Sequence, residues 1–366
     1  MNSRLENGLV SVDDITRDDV DSIVELAENY AAICYPLNML NDDVKEDFIC
    51  GMLFFEPSTR THCSFQAAVS RLGGRSIVMP GTEMSSISKG ETIEDTVHTF
   101  SQYCDMLVIR HPEKGIVKKL QEIAAQYNVP VINGGDGDGE HPTQALLDFY
   151  TIKEHCERTD GISICFQDSL RSRTVNSLKK ILSKYKDNKY YGDLSECVED
   201  ELDILYLTRF QKERFKDDVK NTREAKNATD AKKATNANAD ISDMEKPAPL
   251  SWIVDILNTT IVKLYNTFAS EKNKIDINDV NNINKMNNAR YILNKDTYKN
   301  FTDKVGIMHP LPRGPEIHPE VDAGLPGGGG GKILYFKQMR NGVHVRMGLI
   351  KLILRARLAK IGRIKL

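Results

Sequence analysis

Met52-Leu53-Phe54-Phe55-Glu56-Pro57-Ser58-Thr59-Arg60-Thr61 is the stretch on which the fold turns. A short apolar run passes at once into hydroxyl residues and an arginine, the form of a buried strand leading into a helix start. Phe65, Ala68, Val69 and Leu72 then repeat with the helical period. Upstream, Thr16 and Asp19 form a capping signal, with Val20, Ile23, Val24 and Ala27 at helical spacing behind it. Downstream, Met106 to Ile109 and Val129 to Ile132 are strand candidates separated by a helical pattern through Leu120 and Ile123. The alternation resumes with Ile162 to Phe166, Val175 to Leu182 and Ile204 to Leu207. Strands alternating with helices predict α/β architecture with parallel sheets. A chain of 366 residues has room for two such domains, each with its own core.

Composition narrows the function classes. A net charge of −3 points to neither nucleic acid nor an anionic membrane surface as a partner. The polar opening Met1-Asn2-Ser3-Arg4-Leu5-Glu6 lacks the apolar core of a secretory signal, and no apolar run is long enough to span a bilayer. Seven scattered cysteines without a C-x-x-C pair indicate neither a zinc knuckle nor a disulfide framework. The expectation is a cytoplasmic protein.

From about 221 to 288 the composition shifts to Asn, Lys, Ala and Asp, which predicts a largely disordered insertion. Within it, Trp252, Ile253, Ile256, Leu257, Leu264 and Phe268 fall roughly on one helical face, as a locally docked or fluctuating helix would have them, or else a partner-binding or membrane-surface one. Gly327 to Gly331 before Lys332 imitates a phosphate-binding loop. It fails on pattern, because Pro326 takes the first glycine position and Ile333 follows the lysine, so a linker is expected. Val343, Val345, Met347, Leu349, Ile350, Leu352 and Ile353 predict a C-terminal helix over 339–366, with a basic end.

Five motifs carry chemistry. Ser58 to Thr61 sits where free N–H groups and a helix dipole favour an anion, although a Ser or Thr there also serves as an ordinary N-cap. Arg110-His111-Pro112 stands at the C-terminal end of a predicted parallel strand, where ligands collect in open α/β sheets. The glycine-rich loop Gly134 to Gly139 delivers His141 and Gln144, a hydrogen-bond donor and an amide partner, to a helix start. Thr208-Arg209-Phe210-Gln211 follows a strand directly, with Arg209 suited to gripping a carboxylate in bidentate fashion. His309-Pro310-Leu311-Pro312-Arg313 is a rigid loop past another short strand, Val305 to Met308.

Taken in order, Ser58-Thr59-Arg60-Thr61, Arg110-His111-Pro112, His141-Pro142-Thr143-Gln144, Thr208-Arg209-Phe210-Gln211 and His309-Pro310-Leu311-Pro312-Arg313 resemble the successive signatures of the aspartate transcarbamoylase family. The similarity covers roughly residues 8–182, 194–215 and 288–355. It implies transfer of a carbamoyl group from carbamoyl phosphate to L-aspartate in pyrimidine biosynthesis, with neither metal nor organic cofactor. By resemblance, Ser58, Thr59, Arg60 and Thr61 bind the phosphate, while Arg110, His141 and Gln144 hold and polarise the carbamoyl group. Arg60, Thr61, Arg110 and His141 are the catalytic set. Arg173, Arg209 and Gln211 fix the aspartate carboxylates with help from Thr174, and Leu311 and Pro312 face the substrates. Ser85 and Lys89 match a loop that the family inserts into a neighbouring subunit, which implies a homotrimer with shared sites. The implied division is a carbamoyl-phosphate domain over 1–150, completed by the helix 339–366, and an aspartate domain over 151–338. The second domain carries the 221–288 insertion and lacks one strand–helix unit of the family. Ornithine transcarbamoylase is the nearest alternative, but its late loop carries a cysteine where this chain has His309-Pro310-Leu311-Pro312. A weakened homologue acting as a binding or scaffold subunit is the alternative from another class.

Overall fold

The computed structural model describes residues 3–33, 47–79, 81–167, 172–197, 202–209, 292–324 and 330–362. The 221–288 insertion, its Trp252–Phe268 segment, Gln211 and most of the glycine run lie outside the described residues. The chain divides into a larger unit (Met1–Arg209, Tyr298–Arg313, Glu320–Leu366) and a smaller one (Phe210–Thr297, Gly314–Pro319). In the smaller unit, Leu293 and Ile317, both buried, form an isolated parallel bridge.

Two parallel five-stranded sheets lie in the larger unit. The first contains β1 (Gly8–Leu9), β2 (Ile49–Phe54), β3 (Arg75–Val78), β4 (Met106–His111) and β5 (Val131–Asp136), in the order β1-β5-β4-β2-β3. The second contains β6 (Ser163–Gln167), β7 (Lys189–Tyr191), β8 (Ile204–Leu207), β9 (Gly306–Met308) and β10 (Lys332–Ile333), in the order β10-β9-β8-β6-β7. Every pairing between neighbouring strands is parallel.

Alternation along the strands of the first sheet splits the core into two faces. Met52, Met106 and Val108 pack into one cluster, whereas Leu53, Leu107 and Ile109 pack into the other. Helices cover both faces, which is why these strands read as continuous apolar runs. The connecting helices are α1 (Arg17–Ile33), α2 (Thr59–Arg71), α3 (Ile93–Tyr103), α4 (Ile116–Ala125), α5 (Pro142–Cys156), α6 (Arg173–Leu182) and α7 (Tyr335–Lys360). Thr16 and Asp19 cap α1 reciprocally: the Thr16 N–H donates to Asp19 Oδ2 at 2.8 Å, and the Asp19 N–H reaches Thr16 Oγ1 at 3.4 Å.

The C-terminal helix α7 packs on α1, α2 and α5 and is buried almost all round. Close approach to α1 occurs at Gly348, where a Cβ would stand 2.7 Å from the Ile23 carbonyl oxygen. Ile350 and Ile353 are fully buried in this packing, so truncating either to Ala costs about 2–5 kcal/mol. Among the described residues, no helix is long and apolar enough to cross a membrane.

Three expectations need correction. The helix begins at Tyr335 rather than 339, because its first turn is itself buried, with Tyr335 and Gln338 fully enclosed. Gly134 to Asp136 belong to β5 rather than to a loop: Asp136 pairs with His111, and a Cβ at Gly134 would press to 3.3 Å from Val108. Lys189–Tyr191 is a strand that the sequence pattern did not mark, paired with β6 at the sheet edge. Its three half-exposed or exposed residues present no apolar alternation.

Candidate active site

Strand order locates the site. In the first sheet the chain runs from β2 outward to β3, then returns to β4 and proceeds to β5 on the other side, so the direction reverses between β2 and β4. In the second sheet the reversal lies between β6 and β8. Crevices at such reversals, past the C-terminal strand ends, are where open α/β sheets bind ligands. Ser58–Thr61 follow β2 and Arg110 is the penultimate residue of β4, while Arg173 follows β6 and Arg209 follows β8. Four of the five motifs therefore emerge at the two reversals or beside them, His141 entering from the end of β5.

The start of α2 is left open. Ser58 holds the N-cap position but its side chain makes no capping bond. Backbone N–H groups of Thr59, Arg60 and Thr61 have no partner among the described residues, and the helix dipole adds a partial positive charge. The ordinary-cap reading of Ser58 is thus not realised. Thr59 and Arg60 are exposed, while Thr61 is buried with its hydroxyl 3.4 Å from His141 Nε2. Partial desolvation of its guanidinium, then the nearby charge of Arg209, lowers the Arg60 pKa.

Arg110 is clamped on two sides. Its Nη1 donates to the Gly134 carbonyl at 2.9 Å and its Nη2 lies 2.6 Å from Glu56 Oε1. Burial brings its pKa down to about 10; Arg173 adds to that shift, and Glu56 opposes it. Arg173, the first residue of α6, pairs with the same Glu56 oxygen at 3.7 Å and donates to the Gly137 carbonyl. Thr174 stands next to it in the first helical turn, half-buried.

His141 is buried at the N-cap of α5, its N–H donating to Ser177 Oγ of α6 at 3.1 Å. Burial first, then the charges of Arg110, Arg173 and Arg346, push its pKa well below the ordinary histidine value. The ring is therefore neutral at physiological pH, a hydrogen-bond donor rather than a cation. Gln144, one turn later, donates to Asp148 Oδ1 at 2.9 Å. Leu311 adopts a left-handed backbone (φ 53), which a branched residue accepts only under constraint. Its N–H donates to His309 Nδ1 at 2.8 Å, and the peptide to Pro312 is cis.

Arg60, Thr61, Arg110, His141, Arg173 and Arg209 are thus brought into mutual reach. Ser85 and Lys89 are not. They sit in a separate 3-10 turn, half-buried and exposed respectively, and make no hydrogen bond or ion pair to this group.

Two features carry no role in the sequence reading. Glu56 lies inside the first motif and stands between two arginines. Asp148 is fully buried and accepts from Gln144, from Tyr206 of β8 at 2.7 Å and from Gln338 of α7 at 2.5 Å. Gln338 Oε1 in turn accepts the His309 N–H at 3.1 Å. The i,i+4 spacing of Gln144 and Asp148 is the one sequence signal that points to this network.

Two family models match the chain: "Aspartate/ornithine carbamoyltransferase, carbamoyl-P binding domain" over residues 7–154, and "Aspartate/ornithine carbamoyltransferase, Asp/Orn binding domain" over 160–353. The chain belongs to the aspartate/ornithine carbamoyltransferase family. An aspartate carbamoyltransferase catalytic subunit from Archaeoglobus fulgidus is 35% identical over 364 residues, covering 93% of this chain and 97% of the relative. The M. jannaschii aspartate transcarbamoylase catalytic subunit aligns with a TM-score of 0.67 at 30% identity, over 95% of this chain and 98% of that one. Trypanosoma cruzi aspartate transcarbamoylase in complex with carbamoyl phosphate gives 0.67 at 28% identity, over 93% and 94%. In this chain the second sheet ends on the short β7 as one outer strand.

Proposed function

We propose that this protein transfers the carbamoyl group of carbamoyl phosphate to the amine of L-aspartate, giving N-carbamoyl-L-aspartate and phosphate in de novo pyrimidine biosynthesis. The observation that carries the reading is the arginine cluster Arg60, Arg110, Arg173 and Arg209 at two facing strand-order reversals, beside an uncapped helix start. Two anionic substrates need such a surplus of fixed positive charge to be held together. The family match and the relatives named aspartate carbamoyltransferase support the same reaction.

The phosphate of carbamoyl phosphate takes the open N–H groups of α2, with Ser58, Thr59 and Arg60 as additional donors. The carbamoyl oxygen is met by Arg110, Thr61 and the neutral His141, and Gln144 engages the carbamoyl amide. Arg173 and Arg209 grip the aspartate carboxylates, with Thr174 and Gln211 assisting and Leu311 and Pro312 closing the pocket. The free amine attacks the carbamoyl carbon, a C–N bond forms, the C–O bond to phosphate breaks, and the departing phosphate takes the proton that the nitrogen loses. Charge that gathers on the carbonyl oxygen is stabilised by donors already in place. Residues 1–150 with the C-terminal helix form the carbamoyl phosphate half, and 151–338 the aspartate half. The active form is a cytoplasmic homotrimer in which Ser85 and Lys89 complete a neighbour's site.

Carbamoyl-aspartate formation from the two substrates, beside an Arg60→Ala control and with ornithine as the competing acceptor, tests the reaction. Turnover with aspartate that disappears in the control supports it; turnover with ornithine, or none by folded protein, overturns it. Mixing the Arg60→Ala and Lys89→Ala proteins tests the shared site. Activity recovered on mixing is expected, and two variants that stay inactive together refute the trimer.

A further inference from the structure

A second cleft, of about 530 Å3, opens at the opposite edge of the second sheet, where its strands begin rather than end. Ser163, Lys189 and Lys332 are the first residues of β6, β7 and β10, while Asp203 directly precedes β8 and Lys304 stands two residues before β9. None of the residues assigned above to carbamoyl transfer lines it.

Charge in the cleft is unbalanced. Among the described residues that line it, Arg158, Lys189, Lys304 and Lys332 outnumber Asp203 and Asp303 by two. Asp203 is already engaged, since one carboxylate oxygen accepts from Arg158 at 2.6 Å and from the Ser163 N–H at 2.8 Å. Lys304 and Lys332 make no ion pair among the described residues. The C-terminal end of α5 points its partial negative charge here, which offsets only a fraction of the surplus.

A buried polar group supplies the independent observation. Ser163 is 6% exposed, lines the cleft, and its hydroxyl has no hydrogen-bond partner among the described residues. Buried hydroxyls are rarely left so without a ligand or water to receive them. Nδ1 of His155, on the same wall, is likewise unpartnered, while its Nε2 lies 2.8 Å from the Lys304 carbonyl oxygen.

We infer that this cleft is a second ligand site, separate from the carbamoyl phosphate pocket, which binds a small phosphorylated anion carrying at least two negative charges. Lys304 and Lys332 supply the attraction, and the Ser163 backbone wall closes the floor of the cleft. Lys332 thereby gains a ligand-binding role although its glycine run fails the phosphate-loop pattern.

Calorimetric titration of the full chain with pyrophosphate, at fixed ionic strength and with sodium chloride as the control, tests this. Because pyrophosphate also competes for the first pocket, the deciding protein is the Arg60→Ala variant. It is expected to retain one pyrophosphate per chain. Adding Lys304→Ala and Lys332→Ala is expected to weaken that binding by about tenfold or more. In the otherwise unaltered chain, the lysine pair leaves carbamoyl-transfer kinetics unchanged. Absence of binding in the Arg60→Ala protein, or binding indifferent to the lysine pair, overturns the inference.

Discussion

The phenol of Tyr206 donates to the Asp148 carboxylate at 2.7 Å, tying the strand that ends beside Arg209 to the helix that presents Gln144. A hydrogen bond to a buried charged group of this kind is worth about 1.5–3 kcal/mol, most of it lost when one partner is removed. Tyr206→Phe is therefore expected to lower stability by about 2 kcal/mol in urea unfolding. It should also raise the KM for aspartate while sparing that for carbamoyl phosphate. Equal effects on both substrates would place the role of Tyr206 elsewhere.

Glu56 holds two arginines that otherwise repel one another. Glu56→Gln adds one unit of positive charge to the pocket and loosens the clamp on Arg110. Inorganic phosphate is expected to bind more tightly while kcat falls about tenfold, because attraction rises as alignment is lost. Direct titration with phosphate beside steady-state kinetics separates the two effects; phosphate binding that weakens would contradict the assignment.

His141→Ala removes a donor to the carbamoyl oxygen, and kcat should fall about 100-fold. Since burial and three arginines hold the wild-type ring neutral, no loss of kcat from His141 protonation is expected near pH 6.5. A pH–rate profile whose acid limb centres at that value, and vanishes in the alanine variant, would show that the ring titrates normally.

Stability should respond to acid through opposing groups. His141 and His344 have lowered folded-state pKa values, the latter about 4, so their contribution is present above pH 6.5 and declines as pH falls below it. Asp148, pushed up to about 7 by burial, works the other way, its contribution being full below pH 3.8 and lost as pH rises through 7. Between pH 4 and 6.5 it therefore cancels one of the two histidines. Asp148→Asn removes that compensation and should steepen the acid loss by about 1.4 kcal/mol per pH unit. Denaturant titrations at a series of pH values read the slope directly, and an unchanged slope would mean that Asp148 is ionised throughout.

Much of the site was legible in sequence because its residues sit in short motifs directly after apolar runs. Ser58 to Thr61, Arg110 and Arg209 each follow a strand that periodicity had marked, and strand ends are where side chains reach a ligand. What escaped was the layer behind them. Asp148 meets Tyr206 58 positions away and Gln338 190 positions away, separations that no local pattern encodes. Glu56 was visible in the first motif, yet its role exists only because the fold delivers Arg173 beside Arg110. Lys189–Tyr191 escaped for a different reason: an exposed edge strand of three residues buries too little apolar surface to leave a period.

The helix α7, twenty-six residues from Tyr335 to Lys360, lies against α1, α2 and α5, all of which are complete by Cys156. A ribosome delivers the chain from its N-terminus at about 5–20 residues per second, so α1 waits roughly 15–60 s for the helix that covers it. During that interval the apolar face of Ile23, Val24 and Ala27 has no lid of its own. The half made first therefore keeps apolar surface uncovered for longest, and a chain terminated before Tyr335 lacks the helix that closes that core.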